Sequence, residues 1–407
     1  MRVWFDRGAG NGCARNGTRR RSHYRPGPST RMGQLGVFAL GSCLMLTISG
    51  CIGIALHAGE KALDAMAAPV QAPPAPAARK NVRQLVHAEL EYALGQGAAG
   101  VTAIVMRDGR QLLRMDVGDI APDAQLPVAS ASKWMTAALV MSVVDEGKLS
   151  LDAPISHYLP AFTGPAATTT LRELLAQTSG EGSLLDMVDI RQDPRLTLAE
   201  SATQIAQRPL HDPPGAVFRY GGPGFQVAGA AVEAVTHKRW AELFDERIAR
   251  PLGMTHTYWE HLPSHGVPRG QTSNPLLQGG VVTTAGDYMR FLTMLANHGS
   301  VDGRRILSAH AVDVMETAQT IGKPKAWLPR GARGRPKEYA LGNWCEAWTA
   351  RHACTLVSSP GALGTFPWLD RQHGLYGIFF TRERLTRVSE SFIKARAAII
   401  EAYASGP

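Results

Sequence analysis

Residues 127–141 read PVASASKWMTAALVM, and from Ala129 to Val144 the only charged side chain is Lys133. A run with no polar face for water to wet predicts a buried helix. An ammonium group in such a helix loses its hydration, which disfavours the charged form and makes the amine a proton acceptor. Ser130 stands three residues earlier, and positions i and i+3 share one helix face. If Ser130 opens the helix, its hydroxyl faces Lys133 and its N–H is one of the first-turn donors that no helical carbonyl reaches. Four residues thus predict a nucleophile, its base and one oxyanion donor. The spacing alone selects little, since Ser391-Phe392-Ile393-Lys394 repeats it near the C-terminus. That copy lies in an amphipathic stretch with Arg382, Glu383, Arg384, Arg387, Glu390 and Arg396 around it, where ordinary helix surface and core is the expectation.

On the N-terminal side of this helix, NVRQLVHAELEYALGQG has apolar residues at helical spacing and ends near Gly97. VTAIVMR, Asp108-Gly109 and RQLLRMDVG then read as strand, turn and strand. On the C-terminal side, helical patterns and Pro/Gly loops fill about 151–274. Strand signals return in EYALGNWCEAW, ACTLVSSPGALGTF and HGLYGIFFT, before a closing helix, RVSESFIKARAAIIEAYA. Short links between those three strands favour antiparallel neighbours. The expected body, 81–407, is α+β: an antiparallel sheet flanked by N- and C-terminal helices, with a helical insertion.

The surroundings of Ser130 resemble the serine β-lactamase-like family, which includes class C β-lactamases, DD-peptidases and family VIII esterases. Ala129-Ser130-Ala131-Ser132-Lys133 matches its nucleophile motif. LDAPISHYLPAF at 151–162, TTLRELLAQTSG at 169–180, PLGMTHT at 251–257 and GGVVTTAGDYMRFLTMLANHG at 279–299 follow in the family's order. The resemblance spans roughly 82–404 and implies a β-lactamase/transpeptidase-like fold and an acyl-serine mechanism.

Two family motifs are altered. The family's Tyr-x-Asn falls on Tyr220-Gly221-Gly222, so Tyr220 keeps the tyrosine position and Gly222 stands where asparagine is expected. A tyrosine near a buried lysine shares its proton, which makes Tyr220 a relay to the leaving group or to water. Loss of the amide weakens the expectation of amide and β-lactam binding, and Gln226 is a candidate substitute. The family's Lys-Thr-Gly or His-x-Gly, on the edge of the sheet, falls on Ser359-Pro360-Gly361. Gly361 would let a substrate approach the backbone, and the N–H of Ala362 would join that of Ser130 as the oxyanion pair. Ser359 can hydrogen-bond a carboxylate but cannot neutralise it, so uncharged esters are favoured over penicillins or D-alanine termini.

The rest of the composition bounds the setting. The net charge of +9 belongs mostly to residues 1–33, where eight arginines face one acid and leave the remaining chain at +2. A nearly balanced body gives no reason to expect nucleic-acid binding. LGVFALGSCLMLTISGCIGIAL, 35–56, is an uncharged run long enough to enter a bilayer, and arginines before it set an export topology. Ile48-Ser49-Gly50-Cys51 resembles a lipobox with Cys51 as the lipidated residue; an uncleaved anchor and a start at Met32 are the alternatives. Residues 1–56 are thus read as leader and export segment and 57–80 as a linker, with the Pro/Ala tether APVQAPPAPAA inside it. The expected location is the cell envelope: periplasmic, membrane-anchored or lipoprotein.

Of five cysteines only Cys345 and Cys354 lie in the body, and a disulfide across a hairpin or a pair of buried free thiols both fit. No cofactor is expected and no metal site, since two thiols without paired histidines do not hold zinc. The H-x-x-x-E-H run from His256 to His261 has neither zinc-protease spacing and reads as surface, and His373 reads as a turn residue. No G-x-S-x-G elbow is present, which argues against an α/β-hydrolase. Two classes of function remain: an acyl-serine hydrolase acting on ester, peptide or lactam, and a cell-envelope binding or regulatory protein on the same scaffold.

Overall fold

In the computed structural model, residues 82–183, 185–191, 193–261, 270–332 and 337–404 are described. The basic leader, the apolar segment with Cys51, Met32 and the linker all lie outside these residues.

The hairpin forms as its turn chemistry requires. Strand β1 (Gly100–Arg107) meets β2 (Arg110–Gly118) through Asp108 and Gly109, both at positive φ (48° and 74°). β1 then pairs antiparallel with the last strand of the chain, Val101 opposite Thr381 and Arg107 opposite Leu375. With β3 (Glu338–Tyr339), β4 (Trp344–Trp348), β5 (Cys354–Ser358), β6 (Phe366–Asp370) and β7 (Leu375–Thr381), the order is β3-β4-β5-β6-β7-β1-β2, antiparallel throughout. Cys345 of β4 and Cys354 of β5 are joined by a disulfide.

Alternation along the strands splits the interior into two cores. Val101, Ala103 and Val105 of β1 and Phe379 of β7 pack beneath the terminal helices, through Val86 and Leu90 of α1 (Val82–Gly95) and Phe392, Ala395 and Ile399 of α6 (Leu385–Ala404). Ile104, Ile378 and Phe380 face the opposite way, towards α2 (Ser132–Asp145) and the helical insertion. Helix α2 is buried from Ser132 to Val143, as a helix lacking a polar face must be. The insertion carries α3 (Leu198–Ala206) and α4 (Pro223–Thr236), besides the short helices Leu171–Leu175 and Val188–Arg191; α5 (Ala285–Ala296) follows it. The chain writes two of these helix starts as capping boxes, Thr170 with Glu173 and Thr197 with Glu200.

Two expectations change here. The late sheet has five strands rather than three, because EYALGNWCEAW holds two, β3 and β4, and Phe366-Pro367-Trp368-Leu369-Asp370 forms β6. A proline argues against an interior strand and burial on both faces removes the alternation; Pro367 nevertheless stands opposite Ile378 of β7. Ser359–Gly361 also does not run along a sheet edge. It is the exit from β5, an interior strand.

Candidate active site

The site begins where a strained turn delivers Ser130. Ala129 has φ 46°, outside the ordinary range for a residue with a Cβ, and Ala129–Ala131 make one 3-10 turn before α2. The turn is clamped: Ser132 Oγ donates to Ala129 O (2.7 Å) and accepts from Val281 N (3.0 Å), while Tyr288 OH donates to Ala131 O (2.8 Å). The first amide to close the turn is that of Ala131, onto Val128 O (3.2 Å), so the Ser130 N–H finds no acceptor among the described residues.

Lys133 is wholly buried, its Nζ 3.2 Å from Ser130 Oγ and 2.9 Å from Gln278 O. The rings of Tyr220 and Phe225 lie 4.7 and 5.4 Å from Nζ. Burial pushes the amine well below its ordinary pKa, and the charge of Arg191 adds to the effect. Tyr220 stacks on Trp344 (5.4 Å, 10°) and Trp327 (6.2 Å, 26°), and its hydroxyl is hydrogen-bonded to Ser130. Burial pushes its phenol up to about 12, against that hydrogen bond, so Tyr220 keeps its proton. Serine, lysine and tyrosine therefore meet as one group, with the charged form of the amine disfavoured and the phenol protonated.

The remaining predicted residues divide. Ala362 is exposed and its N–H donates to none of the described residues, as an oxyanion donor requires. Ser359 does not face a substrate: its hydroxyl is buried and turned to Gly342 O (3.3 Å) and Ser130 O (3.5 Å). Gly361 is small for a different reason from the one expected, because a Cβ there would overlap the carbonyl oxygen of Val128. Its service is to let the β5 exit lie against the nucleophile turn.

Gln226 does not replace the missing asparagine. Its Nε2 donates to Asn274 Oδ1 (2.8 Å) and Pro275 O (3.1 Å), and its Oε1 accepts from Leu277 N (2.7 Å), which leaves nothing for a ligand. Gln226 instead fixes the 274–277 loop that carries Gln278. At Gly222 an added Cβ would come within 2.7 Å of Gln278 Cδ and 2.9 Å of the Arg191 guanidinium. Those two side chains hold the space of the absent one, and neither was foreseen; Gln278, immediately before the Gly279-Gly280 pair, carried the only hint. The H-x-x-x-E-H run is half corrected: His256 is exposed, but His261 is buried with Nδ1 bonded to Asn274 O. His373 pairs with Asp370 (2.7 Å) in the turn after β6.

Known proteins share this architecture. A Bacteroides dorei protein provisionally named a β-lactamase superposes with a TM-score of 0.68 at 30% identity, covering 77% of this chain and 98% of that one. EstCE1, a hydrolase with promiscuous acyltransferase activity, superposes with a TM-score of 0.61 at 19% identity over 78% and 98% of the two chains. A Mycobacterium tuberculosis protein is 28% identical over 347 residues, 69% of this chain and 82% of its own. The beta-lactamase family profile matches residues 78–400, a span that takes in α1, the whole sheet, Ser130, Lys133, Tyr220 and all but the last turn of α6, and the chain therefore belongs to the beta-lactamase family.

Proposed function

We propose that the protein is an exported serine hydrolase that works through an acyl-Ser130 intermediate and prefers esters. The observation that carries this reading is Lys133: wholly buried, 3.2 Å from Ser130 Oγ and held well below its ordinary pKa. A neutral amine at that distance accepts the serine proton as Oγ bonds to the substrate carbonyl carbon. The N–H groups of Ser130 and Ala362 receive the oxyanion that develops. Tyr220, its pKa pushed up to about 12, donates to the departing atom and recovers its proton from Lys133; water then attacks the acyl carbon, its oxygen leaving with the acyl group and one of its protons passing through Lys133 to Ser130 Oγ. An alcohol in place of water would make the same site an acyltransferase.

The ester preference rests on the inward-turned Ser359 hydroxyl and the missing motif cation, which leave a substrate carboxylate without a charged partner at the β5 exit. A β-lactamase, D-Ala-peptidase or purely binding role makes less use of these features, since a binding protein has no need of a buried lysine against a serine. Export rests on the apolar run 35–56 and the arginines before it.

The test is covalent labelling. A fluorophosphonate is expected to label Ser130 in the wild type and to fail with Ser130→Ala, and short aryl esters are expected to turn over faster than a chromogenic cephalosporin. A folded wild type that takes no label overturns the hydrolase reading; efficient cephalosporin hydrolysis overturns the ester preference.

A further inference from the structure

We infer that the side-chain carboxamide of Gln278 is the substrate-amide-binding group of this site, filling from another segment the place that Gly222 leaves empty. The inference rests on the serine-hydrolase reading above and names the acyl groups that site prefers.

Three placements carry it. Gln278 is locked to the catalytic group by its own backbone, since its carbonyl accepts from Lys133 Nζ at 2.9 Å. Gly279 beside it packs on the backbone of Ala129, the residue before the nucleophile. The Gln278 side chain then runs to Gly222, two residues beyond Tyr220, where its Cδ lies 2.7 Å from the position of a Cβ. An amide at this point stands where a side chain on residue 222 would stand.

The second observation is that this amide has no work inside the protein. Gln278 is 3% exposed, its Oε1 is enclosed without a hydrogen-bond partner, and its Nε2 donates to none of the described residues. Most buried polar atoms in folded proteins are paired, so an idle carboxamide at Gly222, on the residue whose carbonyl holds Lys133, points to a partner that arrives with the substrate. Turning the amide over exchanges its two ends and leaves the same inventory, one donor and one acceptor. Gln226 gives the contrast, because the same side-chain type is there fully engaged in holding the 274–277 loop.

A group offering one donor and one acceptor complements a secondary amide, which carries an acceptor and a donor of its own. The acyl groups favoured are those with an amide next to the scissile carbonyl, such as N-acylated amino acids, whether the bond that breaks is an ester or an amide.

The experiment uses the intact chain and two p-nitrophenyl esters, the acetate and the N-acetylglycinate. Gln278→Ala is expected to lower kcat/KM for the N-acetylglycinate by roughly 10- to 100-fold, largely through KM, and for the acetate by a clearly smaller factor. Adding Gly222→Asn to Gln278→Ala is expected to recover part of the loss, because removal of Gln278 opens one side of the space at 222 and the end of the long Arg191 side chain gives way on the other. Equal losses for both esters, or no recovery in a folded double variant, overturn the inference. Should the alanine variant fail to fold, Gln278→Met keeps the volume without the amide and is held to the same comparison. Fluorophosphonate labelling of the same preparations separates the two readings: an unlabelled wild type overturns the hydrolase and this inference with it, whereas labelled protein with equal losses overturns the inference alone.

Discussion

The chain holds the same four-residue spacing twice, and only one copy has the making of a site. Ser130 lies in the turn before α2, where its N–H has no acceptor among the described residues, and Lys133 is sealed among Tyr220, Phe225 and the Gln278 carbonyl. Ser391 is the seventh residue of α6, inside the helical ladder, with its hydroxyl buried and without a partner among the described residues. Lys394 is half-buried and faces the carboxyl of Glu89 on α1. A serine and a lysine at i and i+3 become nucleophile and base only where a helix start supplies a free amide and burial removes the lysine's charge.

The largest test of that contrast is substitution of the two serines. Ser130→Ala is expected to abolish labelling and to lower ester turnover by about three orders of magnitude or more. Ser391→Ala leaves both unchanged and alters stability by about 1 kcal/mol or less, since the hydroxyl it removes is unpaired. Activity lost equally in the two variants would erase the distinction. The lysines make the same comparison: Lys133→Met is expected to cost about 10²- to 10⁴-fold in kcat, and Lys394→Met nothing measurable. The folded pKa of Lys133 lies below its unfolded value, so between the two values the unfolded chain binds the extra proton and the buried amine opposes folding. Lys133→Met is therefore expected to unfold no sooner than wild type while losing activity, which a thermal melt checks.

Burial acts on carboxyls with the opposite sign. Glu181, enclosed near Gly222 and Gly224 with Ser179 at 3.3 Å, is pushed up to about 7 by its burial. Its folded pKa exceeds the unfolded one, so the stability it permits is full below about 4.5 and falls as pH rises through 7. Glu181→Gln is expected to remove this slope, for a gain on the order of 3 kcal/mol at pH 8 and little at pH 4. Denaturant melts at both pH values read the difference, and parallel curves would refute it.

The smallest expected effect is that of Arg191, whose charge helps hold the pKa of Lys133 down. Since protonation of Lys133 removes the base, kcat/KM falls on the acid side through the lysine pKa. Arg191→Met raises that pKa and moves the acid limb to higher pH. An unmoved limb would show burial alone to be responsible.

Legibility followed the range of the forces involved. The α2 helix, the Asp108-Gly109 hairpin and the two terminal helices were readable because periodicity and turn residues act over a few positions. β6 escaped because Pro367 and burial on both faces erase the strand signal, although neighbouring strands impose it. Tyr220 was readable only through the family likeness of its segment. The fate of the glutamines was not readable at all: Gln226 and Gln278 are chemically identical, and only packing spends one on a loop and leaves the other beside Gly222.

By itself the sequence determined that Ser130 and Lys133 share a buried helix face, because a helix repeat and the absence of polar neighbours are local properties. What surrounds them was decided by the tertiary structure alone. The Lys133 to Gln278 bond spans 145 residues, and Ser359 reaches Ser130 across 229. Over such distances no spacing rule holds, and the steric room left by one missing Cβ at Gly222 settles which side chains take its place.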